Sequence, residues 1–83
     1  MTQEQHVRKI CENMAVLLRK ERERKKLSLS AVARRAGLSY QMIALVERLG
    51  RNPTVDSFIR IAEALELDPA KVLARAVNGA KMR

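Results

Sequence analysis

Side chains capable of catalysis or metal binding are few in this sequence. It contains one histidine, His6, and one cysteine, Cys11. On a helix, two residues five positions apart point about 140° away from each other, because each residue turns the helix by about 100°. The pair therefore predicts neither a metal site nor a nucleophile with its base, and no motif supplies a histidine base to any serine. We expect no enzymatic activity, no bound metal and no cofactor.

Positive charge dominates the composition. Seventeen Lys and Arg residues stand against nine Asp and Glu residues, which gives a formal net charge of +8. Such a balance predicts a polyanionic partner, either nucleic acid or an anionic membrane surface. The sequence contains no tryptophan to anchor an interfacial helix, and no apolar run approaches the roughly 20 residues that span a bilayer. These features favour nucleic acid, and we expect no membrane association.

The length and the cysteine content indicate a small intracellular domain. Eighty-three residues are enough for one domain, 1–83, and not for two. A single cysteine excludes an intrachain disulfide and suits a reducing compartment. The first residues, MTQEQHVRK, are polar and unlike a secretory signal. We therefore expect a cytoplasmic protein.

Apolar spacing and capping residues predict an all-α chain of five helices. Val7, Ile10, Met14 and Leu17 recur at helical intervals, which predicts a long first helix that starts near Gln3. Each later helix follows a side chain that can cap its N-terminus, namely Ser28, Ser39, Thr54 and Asp68. The fourth helix is expected to carry the apolar residues Val55, Phe58, Ile61, Ala62 and Leu65.

Two short helices on either side of Gly37 are the most informative feature of the sequence. We predict helices over Leu29–Ala36 and from Tyr40 to about Leu49, with Gly37 in a left-handed conformation. Helices joined this tightly cross at roughly 90–120°. The outer side of the second helix is then free to enter a DNA major groove, about 12 Å wide. Its outward residues are predicted to be Tyr40, Gln41, Ala44, Leu45 and Arg48.

From about Met14 to Leu73 the sequence resembles the lambda repressor and Cro-like helix-turn-helix regulators. The matching features are the small residue Ala33, the turn at Gly37, the pair Glu47-Arg48 and the loop Arg51-Asn52-Pro53. The resemblance implies a compact five-helix DNA-binding domain. Residues 3–13 are then an N-terminal helix extension, and we expect residues 79–83 to form a frayed tail.

The resemblance also implies roles for individual residues. Bases would be read by Tyr40, Gln41, Ala44 and Leu45. Phosphates would be contacted by Ser28, Ser39, Arg48, Arg51 and Asn52. Arg22 and Glu47 would form an ion pair between the first and third helices. Leu29 departs from the family pattern, because many relatives carry a polar residue there that contacts phosphate.

The function implied by the resemblance is sequence-specific binding of double-stranded DNA. We expect a homodimeric repressor or controller protein on a palindromic operator. Family dimers commonly join through their last helices, which implies an interface of Ile59, Leu65, Leu67, Val72, Leu73 and Ala76. The alternative function is that of an antitoxin-like module that binds a protein. It is raised by Met42 and Leu45, which make the outer face of the third helix, the face that would read bases, unusually apolar. A toxin or RNA polymerase is therefore a possible protein partner.

Overall fold

Five α-helices form the chain in the computed structural model, which describes residues 2–49 and 52–81. In chain order they are α1 (Gln3–Arg24), α2 (Leu29–Ala36), α3 (Tyr40–Glu47), α4 (Val55–Ala64) and α5 (Pro69–Gly79). The described residues contain no strand, so the predicted all-α class is confirmed. Within these ranges, no helix combines the length and the apolar character that crossing a membrane requires.

Each helix follows a capping side chain, and the caps of the last four helices are those that the sequence predicts. The Thr2 hydroxyl accepts a hydrogen bond from the Gln5 amide at 3.1 Å, and the Gln5 side chain accepts one from the Thr2 amide at 3.0 Å. This reciprocal capping box satisfies two amides that the helix itself leaves unpaired. The other four helices are capped by single side chains, those of Ser28, Ser39, Thr54 and Asp68.

The helix ends follow the prediction less closely. α3 was predicted to reach about Leu49, but it ends at Glu47. Leu49 has a φ of 63°, and Lys26 and Glu66 adopt similar left-handed values of 56° and 60° after α1 and α4. A left-handed residue with a Cβ costs roughly 1–2 kcal/mol. Because Leu49 is not glycine, the local sequence did not reveal the stop of α3.

The core lies where all five helices meet. Its fully buried side chains include Leu18 of α1, Val32 of α2, Ile43 of α3 and Leu65, which caps the end of α4. α2 packs on both α3 and α4, while α1 packs on α3 and α5. Val55, although it is one of the apolar residues expected on α4, does not contribute to this core. As the first residue of α4 it lies outside the core and is 76% exposed.

The N-terminal extension packs against α5. Asn13 Nδ2 donates a hydrogen bond to the Ala76 carbonyl at 3.0 Å. A Cβ built on Gly79 would lie only 3.2 Å from Asn13 Nδ2, so the two helices approach closely. This packing corrects the prediction of a tail frayed from Gly79. Gly79 is the last residue of α5, and Ala80 is buried.

Candidate nucleic-acid interface

The turn between α2 and α3 is closed by two backbone hydrogen bonds. The Leu38 amide donates to the Ala33 carbonyl at 3.0 Å, and the Gly37 amide donates to the Arg34 carbonyl at 3.4 Å. Gly37 takes up the left-handed conformation with φ 70° and ψ 32°. A Cβ at this position would be 3.5 Å from Arg60 Nη1, an ordinary contact distance. Glycine is therefore favoured here by the backbone angles rather than by crowding.

Small apolar contacts hold α2 and α3 together on their inner sides. Val32 and Ala33 of α2 are almost completely buried, as are Ile43 and Val46 of α3. Because Ala33 has only a methyl group, it occupies little of the space between the two helices. The inner face of α3 is thereby fixed, and the opposite face of its first turn remains accessible.

The accessible face of α3 consists of fewer residues than the sequence predicted. Tyr40 is 53% exposed and Gln41 is also exposed, whereas Leu45 is half-buried. Ala44 was predicted to point outward, and this is wrong, since it is only 9% exposed. Its methyl group lines a shallow pocket beside Leu29. Ala44 therefore presents little surface of its own to a base.

Two capped helix N-termini flank this face. Ser28 Oγ accepts a hydrogen bond from the Ala31 amide at 3.0 Å, and Ser39 Oγ accepts one from the Met42 amide at 3.1 Å. Each hydroxyl keeps its proton for donation to another acceptor. The remaining amides of the first turn carry partial positive charge. The start of α2 and the start of α3 thus offer donors suited to phosphate oxygens.

The structure brings Arg22 and Glu47 together across α1 and α3. Arg22 Nε donates to Glu47 Oε2 at 2.6 Å, and Nη2 donates to Oε1 at 2.9 Å. The hydrogen bond to Glu47 raises the pKa of Arg22 above its ordinary value. Both carboxylate oxygens of Glu47 therefore accept hydrogen bonds from Arg22. The pair connects α1 to α3 and holds α3 in position.

Three of the predicted phosphate contacts, Arg48, Arg51 and Asn52, follow α3 in the chain. Arg48 is exposed at the C-terminal cap of α3 and forms no ion pair with any described residue. Asn52 is exposed as well, and it lines a groove against the first half of α1. Arg51 lies outside the described residues. Arg35 lines a separate groove between α2 and α4, together with Arg60.

The predicted dimer interface needs correction. Leu65, Val72 and Ala76 are at most 3% exposed, because they already form part of the chain's own core. Their assignment to an interface is therefore wrong. Leu67 also packs against that core. Ile59 and Leu73 keep the accessibility that an interface needs, at 39% and 45% exposed.

Ile59 and Leu73 lie in an apolar groove between α4 and α5, and the residue of this groove that sequence reasoning missed is Val55. Val55, Ile59 and Leu73 line the groove together with Pro53, Pro69 and Ala70. Val55 was overlooked because its position in the helical pattern equals that of a core residue. The signal that could have identified Val55 as exposed is its position directly after the capping residue Thr54. The first residue of a helix often lies at the edge of the core rather than within it.

Met42 also lies differently from the expectation. It packs against the core and is partly buried, as Leu45 is. The two residues that raised the antitoxin-like alternative therefore present less apolar surface on α3 than expected.

Comparison with known proteins supplies the family. A helix-turn-helix family model matches residues 18–72, about two thirds of the chain. No curated protein and no solved structure shows significant similarity. The matched span begins within α1 and includes α2, the Gly37 turn, α3 and α4. The chain belongs to the lambda repressor and Cro-like helix-turn-helix family, and its helix-turn-helix domain is that of a DNA-binding transcriptional regulator.

Proposed function

We propose that this protein is a homodimeric repressor or controller that binds a two-fold symmetric operator. The observation that carries the proposal is the position of Tyr40 and Gln41. Both are exposed at the start of α3 while Ile43 and Val46 anchor the same helix in the core. A short helix fixed on one side and accessible on the other can enter a major groove. Gln41 has the donor and acceptor needed to bond adenine N7 and N6.

Phosphate contacts would hold this helix in register. The hydroxyls of Ser28 and Ser39, with the first amides of α2 and α3, can bind two phosphates on one strand. Arg48 adds a positive charge at the other end of α3, and the family resemblance adds Arg51 and Asn52 as further phosphate contacts. These contacts carry little sequence information, so they supply affinity and orientation while Gln41 supplies specificity.

A second copy of the chain would occupy the apolar groove between α4 and α5. Val55, Ile59 and Leu73 are exposed, and the groove they line has a volume of about 320 Å³. A two-fold interface brings the same surface of both subunits together, so the apolar groove residues of one subunit would be buried against those of the other. The two α3 helices would then lie in successive major grooves about 34–36 Å apart. A dimer of this kind can repress by covering a promoter.

The experiment that tests the proposal is selection of bound duplexes from a random-sequence pool. We expect an enriched sequence made of two inverted half-sites. Binding to it should lose about three decades of affinity between 50 and 200 mM salt, as when about six phosphates are neutralised. Affinity that stays constant across this range, or a pool with no enriched sequence, would contradict the proposal.

Two variants separate specificity from orientation. Gln41→Ala should relax the preference at one base pair of each half-site and leave the others unchanged. Arg48→Ala should weaken binding to all duplexes by a similar factor and reduce the salt slope by about one. Identical effects of the two changes would show that the assigned roles are wrong.

A further inference from the structure

A shallow pocket lies where the start of α2 meets α3. Its lining comprises Leu29, Tyr40, Ala44, Glu47 and Arg48, and its volume is about 270 Å³. Leu29 directly follows the cap Ser28, and Tyr40 directly follows the cap Ser39. The pocket therefore runs along α3 from its first residue to its C-terminal cap, beside the start of α2.

The walls of this pocket are mostly apolar. Leu29 is half-buried and packs against the core, and the methyl group of Ala44 is 9% exposed. The ring of Tyr40 forms a further, more exposed side. Neither Leu29 nor Ala44 has a side-chain polar atom, and both carboxylate oxygens of Glu47 already accept hydrogen bonds from Arg22. The pocket is thus poorly equipped to read a base through hydrogen bonds.

An apolar surface can still discriminate between base pairs. In the major groove, the 5-methyl group of thymine is the apolar feature among the donors and acceptors of the four base pairs. 5-Methylcytosine presents the same group at the same edge. Arg48, which also lines the pocket and is exposed, supplies positive charge next to a polyanion. The lining thus combines the apolar side chains of Leu29 and Ala44 with a cation, which suits a methyl group beside a phosphate.

We propose that this pocket takes the 5-methyl group of one pyrimidine in each half-site, and that Leu29 determines the preference for that methyl group in addition to the base that Gln41 reads. The inference rests on the proposed function, because it requires α3 to lie in the major groove. Burial of one methyl group is equivalent to about a fourfold gain in affinity. When one dimer binds two half-sites, the two methyl groups together should raise the affinity about fifteenfold, the product of the two factors.

The test uses the wild-type protein and chemically modified DNA. After a binding duplex has been selected from the random pool, each thymine is replaced in turn by uracil, which lacks only the methyl group. We expect one position in each half-site at which binding weakens about fourfold, while replacement at the other positions has no effect. At the sensitive position, 5-methylcytosine should bind about fourfold more tightly than cytosine. This second comparison separates the methyl group from the rest of the thymine base.

A variant assigns the effect to the pocket. Leu29→Gln should bring the thymine-to-uracil ratio close to one at the sensitive position. Tyr40→Phe is the matched control, because it keeps the ring and should keep the ratio whatever its overall affinity. Thermal unfolding shows whether the Leu29 variant is folded, and the modified-DNA comparison on wild-type protein stands without it.

The outcomes distinguish this inference from the proposed function. If no sequence is enriched from the pool, the proposed function fails and the inference fails with it. If a symmetric sequence is enriched but thymine and uracil bind equally at every position, only the inference is overturned. A folded Leu29→Gln protein that keeps the full ratio would also overturn it, because the methyl group must then be contacted elsewhere.

Discussion

Arg22 joins three segments of the chain through one guanidinium group. Two of its nitrogens hold the carboxylate of Glu47 on α3, and Nη1 donates to the Leu27 carbonyl at 2.9 Å in the segment before α2. The side chains of Arg22 and Glu47 are 16% and 10% exposed. An ion pair in such a site is costly to break, because the remaining partner stays buried without its counter-charge. α1 therefore fixes the orientation of the helix proposed to read DNA.

We expect Glu47→Ala to lower the free energy of unfolding by about 2–3 kcal/mol. Loss of one partner of a fully buried pair costs about 3–5 kcal/mol, and the bond to Leu27 and the partial exposure of Arg22 reduce that cost. For a domain of this size the thermal midpoint should fall by roughly 10 °C or more. Differential scanning calorimetry measures the change directly.

Two further variants show whether the effect belongs to the pair. Replacing Arg22 and Glu47 together by leucine should recover part of the loss, because no charge is then left buried. Asp56→Asn breaks the ion pair with Arg60, in which both side chains are more than half exposed. That change should affect the midpoint far less. Equal losses in Glu47→Ala and Asp56→Asn would mean that the Arg22 pair contributes no more than a surface contact.

The contact between Glu21 and Arg24 should make a pH-dependent contribution to the stability of the fold. The hydrogen bond from Arg24 lowers the pKa of Glu21 below its ordinary value of 4.5. A lowered pKa in the folded state means that the stabilisation is present above the unfolded pKa and is lost as pH falls through the folded one. Glu21→Gln should therefore be less stable than wild type at pH 7, and the difference should shrink as the pH falls below about 4.5.

Urea titrations of both proteins at pH 7 and at several values below pH 4.5 measure this difference. Arg24→Gln should show the same trend, because Arg24 is the main cause of the lowered pKa. A difference between wild type and Glu21→Gln that stays constant with pH would contradict the assignment.

The helix-turn-helix could be predicted from sequence because its signals are local. Ser28, Gly37 and Ser39 act on amides and carbonyls within four residues of themselves, so their roles are legible without knowledge of the fold. The Arg22–Glu47 pair bridges 25 positions. It was accessible only through the family resemblance, since nothing in the residues around either partner indicates the other.

The interface residues could not be predicted in the same way. Periodicity identifies the apolar residues of a helix, but it does not show which of them the same chain covers. Here the long α1 packs along α5, and Val72 and Ala76 of α5 are buried within the chain. Leu73, one position from Val72, remains 45% exposed. Only the three-dimensional arrangement separates the two.

The contact between the N-terminal extension and α5 should contribute to the stability of the fold. Asn13 Nδ2 bonds the Ala76 carbonyl, which lies in the last turn of α5, where a helix leaves its carbonyls unpaired. Asn13→Asp keeps the size of the side chain but removes the donor and adds a negative charge near the negative end of the helix dipole. We expect a loss of about 1–2 kcal/mol in the free energy of unfolding.

The matched control for Asn13→Asp is Asn78→Asp. Asn78 is exposed near the same end of α5, so this change adds the charge without removing the contact to α1. Its cost should stay within about 0.3–1 kcal/mol. If the two variants were equally destabilised in urea titrations, the Asn13 hydrogen bond would add nothing beyond the charge effect.

A charge placed in the groove between α4 and α5 should separate the two copies of the proposed dimer. Leu73→Glu places a charge on a surface that the proposed dimer buries, and the exposure of Leu73 means that the monomer should still fold. We expect a monomer by sedimentation equilibrium at concentrations where wild type is a dimer. Affinity for a two-half-site operator should fall about a hundredfold or more, because binding of the second half-site is no longer intramolecular. Binding to a duplex with one half-site should change little.

Ala74→Glu provides the control for this prediction. Ala74 is exposed on α5 but does not line the groove, so the same charge on the same helix should leave the dimer intact. Val55→Glu, from the α4 side of the groove, should act like Leu73→Glu. If both groove variants stayed dimeric and kept full operator affinity, the two copies would have to meet elsewhere. If wild type bound a different protein in stoichiometric amounts and the groove variants did not, the groove would be the binding site of that protein.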